Sequence, residues 1–292
     1  MEYRATTMQN VLTQMRFKYV DDLTILELLL FSGLMTEYNF HQQVASDIVI
    51  DELYVPSNSF KTQENINQIE EWTTNNLMKM NENKSNYMIF SRSNTEFATR
   101  LTLNNKTLER VEEVKLVGVW ITTFLDWTKN TKELCKKAYA RLTLITKLKY
   151  VGTSREDLLD VYKLYIRSIL EYCSVVWHST LTVTQNKDIE NIQKLCLKII
   201  LGEDYSGYQN ALELTELDRL NDRRQERCLK FGLKSLLHPK HCELFPVNPQ
   251  VLLDIPVREH FQVNWAKTES YRMSAVPYIQ RILNDYVNRR KP

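Results

Sequence analysis

The chain has 292 residues, 43% hydrophobic and 25% charged, with 38 basic side chains against 36 acidic ones. These values are ordinary for a soluble globular protein with room for two domains. The near-cancellation of charge excludes a binder that relies on bulk positive charge, so any affinity for nucleic acid must come from where the charges sit. No signal peptide opens the sequence, and Leu26 to Leu34, cut by Ser32 and Gly33, falls short of the ~20 apolar residues of a membrane span. Only 6 Gly and 7 Pro point to a helix-rich chain with few tight loops.

Residues 1–16 are polar and mixed. Phe17 to Val20 and Leu23 to Leu26 are β-prone runs flanking Asp21 and Asp22, which reads as a hairpin over 17–26 with both carboxylates at its tip. Paired acids there suit a hard cation such as Mg²⁺, and Asp-Asp is equally a favoured turn pair. Residues 35–62 show no clear period. Ile66, Ile69, Trp72 and Thr73 predict an amphipathic helix, and Tyr87 to Phe90 a strand. Leu101 to Leu103 and Leu108 predict a hairpin around Asn104 and Asn105. Lys115 to Ile121 reads as one strand whose Gly118 permits a bulge or a close backbone approach.

From about residue 129 the period becomes helical. Leu134, Ala138, Leu142, Ile145 and Leu148 form an apolar stripe. Lys129, Lys132, Lys136 and Lys147 lie nearly opposite, with Lys137 and Arg141 at the flanks. Glu133 is the only acid among them, so the face is either simply solvated or suited to a phosphate backbone. Ser154 and Asp157 start the next helix with a capping pattern. It carries Leu158, Tyr162, Tyr165, Ile169, Cys173 and Val176, and its apolar second half predicts a buried spine. A further helix puts Ile189, Ile192, Cys196 and Ile199 on one face and ends at Gly202. Leu217, Leu220, Cys228, Phe231 and Leu236 mark another, where Arg219, Arg223, Arg224 and Arg227 are answered by Asp218, Asp222 and Glu226 as structural ion pairs. The last helix is predicted from about Pro277 to Arg290.

The five cysteines, Cys135, Cys173, Cys196, Cys228 and Cys242, are scattered without a C-x-x-C pair, which fits a reduced intracellular compartment. His238, His241 and Cys242 gather loosely around Pro239, a poor zinc pattern.

Several stretches, in one order, resemble the C-terminal half of a non-LTR (LINE-type, jockey-like) retrotransposon reverse transcriptase. Tyr19-Val20-Asp21-Asp22 resembles the palm hairpin that carries catalytic acids. Glu71-Trp72-Thr73, Met78 to Asn81 and Lys84 to Phe90 resemble the next palm motif, with Ser85 where Thr is usual. Leu116 to Ile121 with Leu125-Asp126-Trp127 is similar to the primer grip, with Val117 where Leu is commoner. Ala138 to Leu142, Ile166 to Tyr172 and Val175 to Trp177 look like the helical thumb. Gln193-Lys194, Ala211-Leu212, Arg223-Arg224 and Ala275 to Pro277 continue the match almost to the terminus.

The resemblance implies an α+β fold: an incomplete antiparallel palm over 1–128, followed by a mostly α-helical thumb bundle over 129–292. It implies RNA-directed DNA polymerase chemistry by two Mg ions on an RNA template and DNA primer, and a nuclear location. Asp21 and Asp22 would be the catalytic metal ligands and Lys84 the lysine that protonates the leaving pyrophosphate; alternatively Lys84 is a solvated turn residue. Gly118 and Trp120 would sit near the primer backbone, with core packing the competing reading of Trp120. Lys132, Lys136, Lys137 and Arg141 would line the template–primer duplex. The family also has an earlier palm aspartate, whereas the 20 residues before Asp21 contain none. The chain alone is therefore expected to hold Mg weakly and not to polymerise. The alternative is a non-enzymatic nucleic-acid-binding or protein-interaction module built on the helical half.

Overall fold

The computed structural model describes residues 62–77, 80–90, 100–238, 241–252, 259–263, 265–266 and 268–290. The hairpin expected at 17–26, with Asp21 and Asp22, lies outside the described residues. Within them the fold is mostly helical with a few short strands, α+β in the broad sense.

The first described part is small. Helix α1, Thr62–Asn75, buries Ile66 and Thr73 and leaves Ile69 and Trp72 half-buried. The Gln63 amide locks it to β2, Thr102–Leu103, from both sides. Gln63 Nε2 donates to the Thr102 carbonyl at 3.0 Å, and the Thr102 N–H donates to Gln63 Oε1 at 2.8 Å. The Asn104–Asn105 hairpin forms as expected, with β3 at Lys106–Thr107. Both asparagines sit at positive φ (48° and 61°), the left-handed pair a tight hairpin needs. Strand β1, Asn86–Tyr87, pairs in parallel with β4, Glu109–Arg110, so this region is not wholly antiparallel as expected. The chain between them includes the entire β2–β3 hairpin, which is long enough for the crossover a parallel pair requires. Ile66, Leu101, Leu103 and Leu108 form its own apolar cluster, with Met80 and Tyr87 against it.

The expected single strand at 115–121 is a hairpin instead. Strands β5, Glu113–Leu116, and β6, Val119–Thr122, pair antiparallel, with Lys115 opposite Trp120. The turn is Val117-Gly118 at φ 46° and 84°, the same left-handed pair. Gly118 takes that conformation freely; the β-branched Val117 does so against its preference, which is why the sequence conceals the turn. Val119 and Ile121 point into the core, while Lys115 and Trp120 share the outer face.

Helix α2, Thr128–Tyr150, buries the expected Leu134, Ala138, Leu142 and Ile145, and leaves Leu148 partly covered. Ser154 caps α3, Arg155–Val161, accepting from the Asp157 N–H at 3.2 Å. Beyond it the chain departs from the expected regular helix. Tyr162–Arg167 is π-helical, followed by one α-turn at Ser168–Leu170. The deepest positions are Leu158, Tyr162, Ile166 and Leu170, each at most 2% exposed, and Tyr165 faces out. A four-residue spacing runs ahead of the 3.6-residue α turn and falls behind the wider π turn, so the π segment offsets the drift and keeps these positions on one face. The spine then breaks at Cys173, which adopts φ 49°, before the short turn Ser174–Trp177.

Helix α4, Val183–Leu201, begins in a Thr182–Gln185 capping box and stops at Gly202, φ 62°. Lys149, from the end of α2, donates to the free carbonyls of Ile199 and Ile200 there. Helices α2 and α4 pack on one another, and α4 also packs against α5, Tyr208–Thr215, and α6, Leu220–Leu236. Helix α7, Ala275–Asn288, lies on α6 so closely that a Cβ at Gly232 would come within 2.6 Å of Ile279. One continuous apolar core runs from Val119 to Leu283.

The arginine face of α6 is ion-paired, but its partner is not the one expected. Arg223 and Arg227 both pair with Glu171, at 2.6 and 3.3 Å, and Glu171 is 2% exposed. Of the acids on the helix itself, Glu226 pairs with Lys230. Arg224 is fully buried: it donates to Asn186 Oδ1 at 2.8 Å and lies over the Trp177 ring at 5.7 Å.

Candidate nucleic-acid interface

The β5–β6 turn does not stand free. Tyr172, just after the π segment, donates its hydroxyl to the Val117 carbonyl at 2.9 Å. Its ring lies so near Gly118 that a Cβ there would meet Cε1 at 3.2 Å. Burial, with Cys173 beside it, pushes the Tyr172 phenol up to about 12, so it remains a donor throughout the working pH range. This contact, between residues 55 apart in sequence, sets the hairpin turn against the start of the helical bundle.

A cleft of about 410 Å³ results, with the turn on one side, α2 on the other and the Ser168–Tyr172 stretch across its end. Leu134 and Ile169 form its apolar floor, and Lys115, Gly118, Lys137 and Arg141 stand around it. None of the lining residues is acidic. Three cations converge on one open depression, and no carboxylate answers them there. Arg141 is also held in place, because its Nη1 donates to the Tyr165 carbonyl at 2.7 Å. That carbonyl belongs to the π segment, whose altered hydrogen-bond pattern leaves acceptors for side chains. A side-chain-free backbone at Gly118 and a fixed guanidinium opposite are features that suit close approach of an anionic chain.

Six described residues were singled out from sequence for nucleic-acid contact, and they do not all meet. Gly118, Lys137 and Arg141 line the cleft. Lys132 and Lys136 are exposed on another side of α2. Trp120 is half-buried on the outer face of β6, with the Lys129 ammonium 4.9 Å from its ring centre and Lys129 itself paired to Glu113 at 3.0 Å. Its ring is therefore neither inside the core nor bare. Lys84 is exposed in the turn Glu82–Lys84, beside the smaller apolar cluster. Lys115 and Tyr172 escaped the sequence reading. The signal for Lys115 was the Val117-Gly118 turn, which would have paired it with Trp120. For Tyr172 no local signal exists, since its partner is distant in sequence.

Asp21 and Asp22 lie outside the described residues. Among the described residues no group of three or more His, Cys, Asp or Glu is placed to hold a metal ion, His238, His241 and Cys242 included. Nor is any described helix long and apolar enough to cross a membrane. What the cleft can do chemically is bind: it offers ammonium and guanidinium donors to phosphate oxygens. Comparison with protein-family models, with curated proteins and with solved structures gives no match to this chain.

Proposed function

We propose that these residues are the distal palm and thumb of an RNA-directed DNA polymerase of the non-LTR retrotransposon class, and that their own task is to grip a template–primer duplex. The observation supporting the reading is the cleft. A glycine-containing hairpin turn, expected from the resemblance to approach the primer, faces Lys137 and Arg141 of the helix expected to follow the duplex. Phosphate contacts of this kind position a duplex without reading its sequence. In the intact site Asp21 and Asp22 would hold Mg, which supplies charge neutralisation for phosphoryl transfer. Lys84 would carry a proton for the leaving pyrophosphate.

Binding is measured with a 20-base-pair RNA–DNA duplex at several KCl concentrations. Affinity should fall steeply with salt, and neutralising Lys132, Lys136 and Lys137 to Gln should flatten the log–log slope by about 0.9 per lost phosphate contact. Of the three only Lys137 lines the cleft, so Lys115→Gln, Lys137→Gln and Arg141→Gln are combined as well; affinity unchanged by both triple substitutions would overturn the reading. A second reading, binding without catalysis, is favoured by the acid-free lining of the cleft. Primer extension with Mg²⁺ separates the two, comparing the chain with an Asp21→Ala, Asp22→Ala variant. Extension lost in the variant would support catalysis through Asp21 and Asp22; no extension from either favours binding without it.

A further inference from the structure

Around the corner from the cleft, three guanidinium groups gather near the Glu171 carboxylate. Glu171 is buried, and both its oxygens are taken. Arg223 donates through Nε to Oε1 at 2.6 Å and through Nη2 to Oε2 at 3.3 Å. Arg227 pairs its Nε with Oε2 at 3.3 Å and donates Nη1 to the Glu171 carbonyl at 3.5 Å. Arg167 stands one turn before Glu171 on the same helical face, where the Glu171 N–H donates to the Arg167 carbonyl at 3.0 Å. Arg167 is half-buried, yet its guanidinium has neither a hydrogen bond nor an ion pair among the described residues. Asp218 and Glu226 also act on Arg223, so the guanidinium of the three that lacks an ion pair among the described residues is that of Arg167. Burial and the neighbouring Arg223 both work against the charge on Arg167, while Glu171 favours it.

We propose that Arg167, Arg223 and Arg227 form a second phosphate site, one that takes a backbone phosphate of the same nucleic acid that the cleft grips. Arginine suits this task because its planar fork offers paired donors to phosphate oxygens. Glu171 serves as the post that holds Arg223 and Arg227 in place, leaving their remaining N–H groups and all those of Arg167 for the ligand. Ser168 and Tyr172, which border the cleft, alternate along the same stretch with Arg167 and Glu171. One strand following that stretch therefore passes from the cleft to the arginines. The site lies outside the set Lys132, Lys136, Lys137 and Arg141, and it rests on the duplex-gripping reading.

The test compares the 20-base-pair RNA–DNA duplex affinity of the wild-type chain, Arg167→Gln and Lys137→Gln at 50, 100 and 200 mM KCl, roughly the range over which counter-ion release dominates. Arg167 makes no hydrogen bond or ion pair among the described residues, so Arg167→Gln should fold as the wild type does, checked by circular dichroism. Its binding should weaken about threefold to tenfold at low salt, with the log–log slope reduced by about 0.9. Lys137→Gln should do the same. Unchanged affinity and slope in Arg167→Gln, with Lys137→Gln weakened, would overturn the arginine site and leave the cleft standing. The converse would overturn the cleft and keep the arginines. A wild-type chain that does not bind the duplex would overturn both.

Discussion

The two apolar clusters of this protein are built on different scales. The helical region closes one core that draws on β5–β6, α2, α4, α6 and α7, with Trp177, Tyr162, Ile145 and Leu170 fully enclosed. The region from α1 to β4 gathers Ile66, Leu101, Leu103 and Leu108 around ladders only two residues long. A core that many elements share gains cooperativity, because losing one side chain loosens all its neighbours. A four-residue cluster with a glutamine clasp has little to share. The comparison teaches where a binding surface can be held rigid: the cleft sits on the large core, while Lys84 sits by the small one.

The largest effect is expected at the centre of the helical core. Trp177→Ala removes a fully buried ring that also carries Arg224, and should destabilise the helical region by about 4 kcal/mol in urea unfolding. A loss below about 1 kcal/mol would mean that the core is less close-packed than described.

Next in size is an acid response from the same place. Burial, and then the Arg224 charge, lower His178 from its ordinary 6.5 to about 4. The unfolded chain thus takes a proton that the folded one refuses. The stability this represents is full above pH 6.5 and is lost as pH falls towards 4. It amounts to about 3 kcal/mol. Urea midpoints across that range should fall less in His178→Gln than in the wild type; parallel curves would show that His178 is free to protonate in the fold.

Leu103→Ala sharpens the contrast directly. It should cost about 2 kcal/mol within the smaller cluster. In hydrogen exchange the amides of residues 101–110 should speed up while those of α4 stay protected. Equal acceleration in both would break the comparison, because the two regions would then open as one unit. The smallest effect is expected at the cleft. Gly118→Ala meets a positive φ of 84° and the Tyr172 ring at 3.2 Å, and should cost about 1 kcal/mol in thermal unfolding.

Much of the helical half was legible in the sequence because its signals are local. The apolar stripe of α2, the Ser154 cap, and the start and Gly202 stop of α4 each lie within a few residues of what they control. The Asn104-Asn105 turn was legible for the same reason. The β5–β6 hairpin was not, since Val117 is a residue that normally refuses the left-handed region. The partner of Arg223 was also hidden: nearby Asp218, Asp222 and Glu226 look adequate until Glu171 arrives from 52 residues away.

Residue order by itself therefore determined the helical class, most helix boundaries, the buried stripes and the basic face of α2. Periodicity and capping are short-range, and they are written into the chain wherever a helix forms. Only the tertiary structure decided which basic residues meet. Lys137 and Arg141 reach the cleft and Lys132 and Lys136 do not, because the Tyr172–Val117 hydrogen bond sets the hairpin turn by one face of α2. A contact between residues 55 apart carries no local pattern, and with the Lys129–Glu113 pair and the burial of Val119 and Ile121 it turns a helical stripe into a lined cleft.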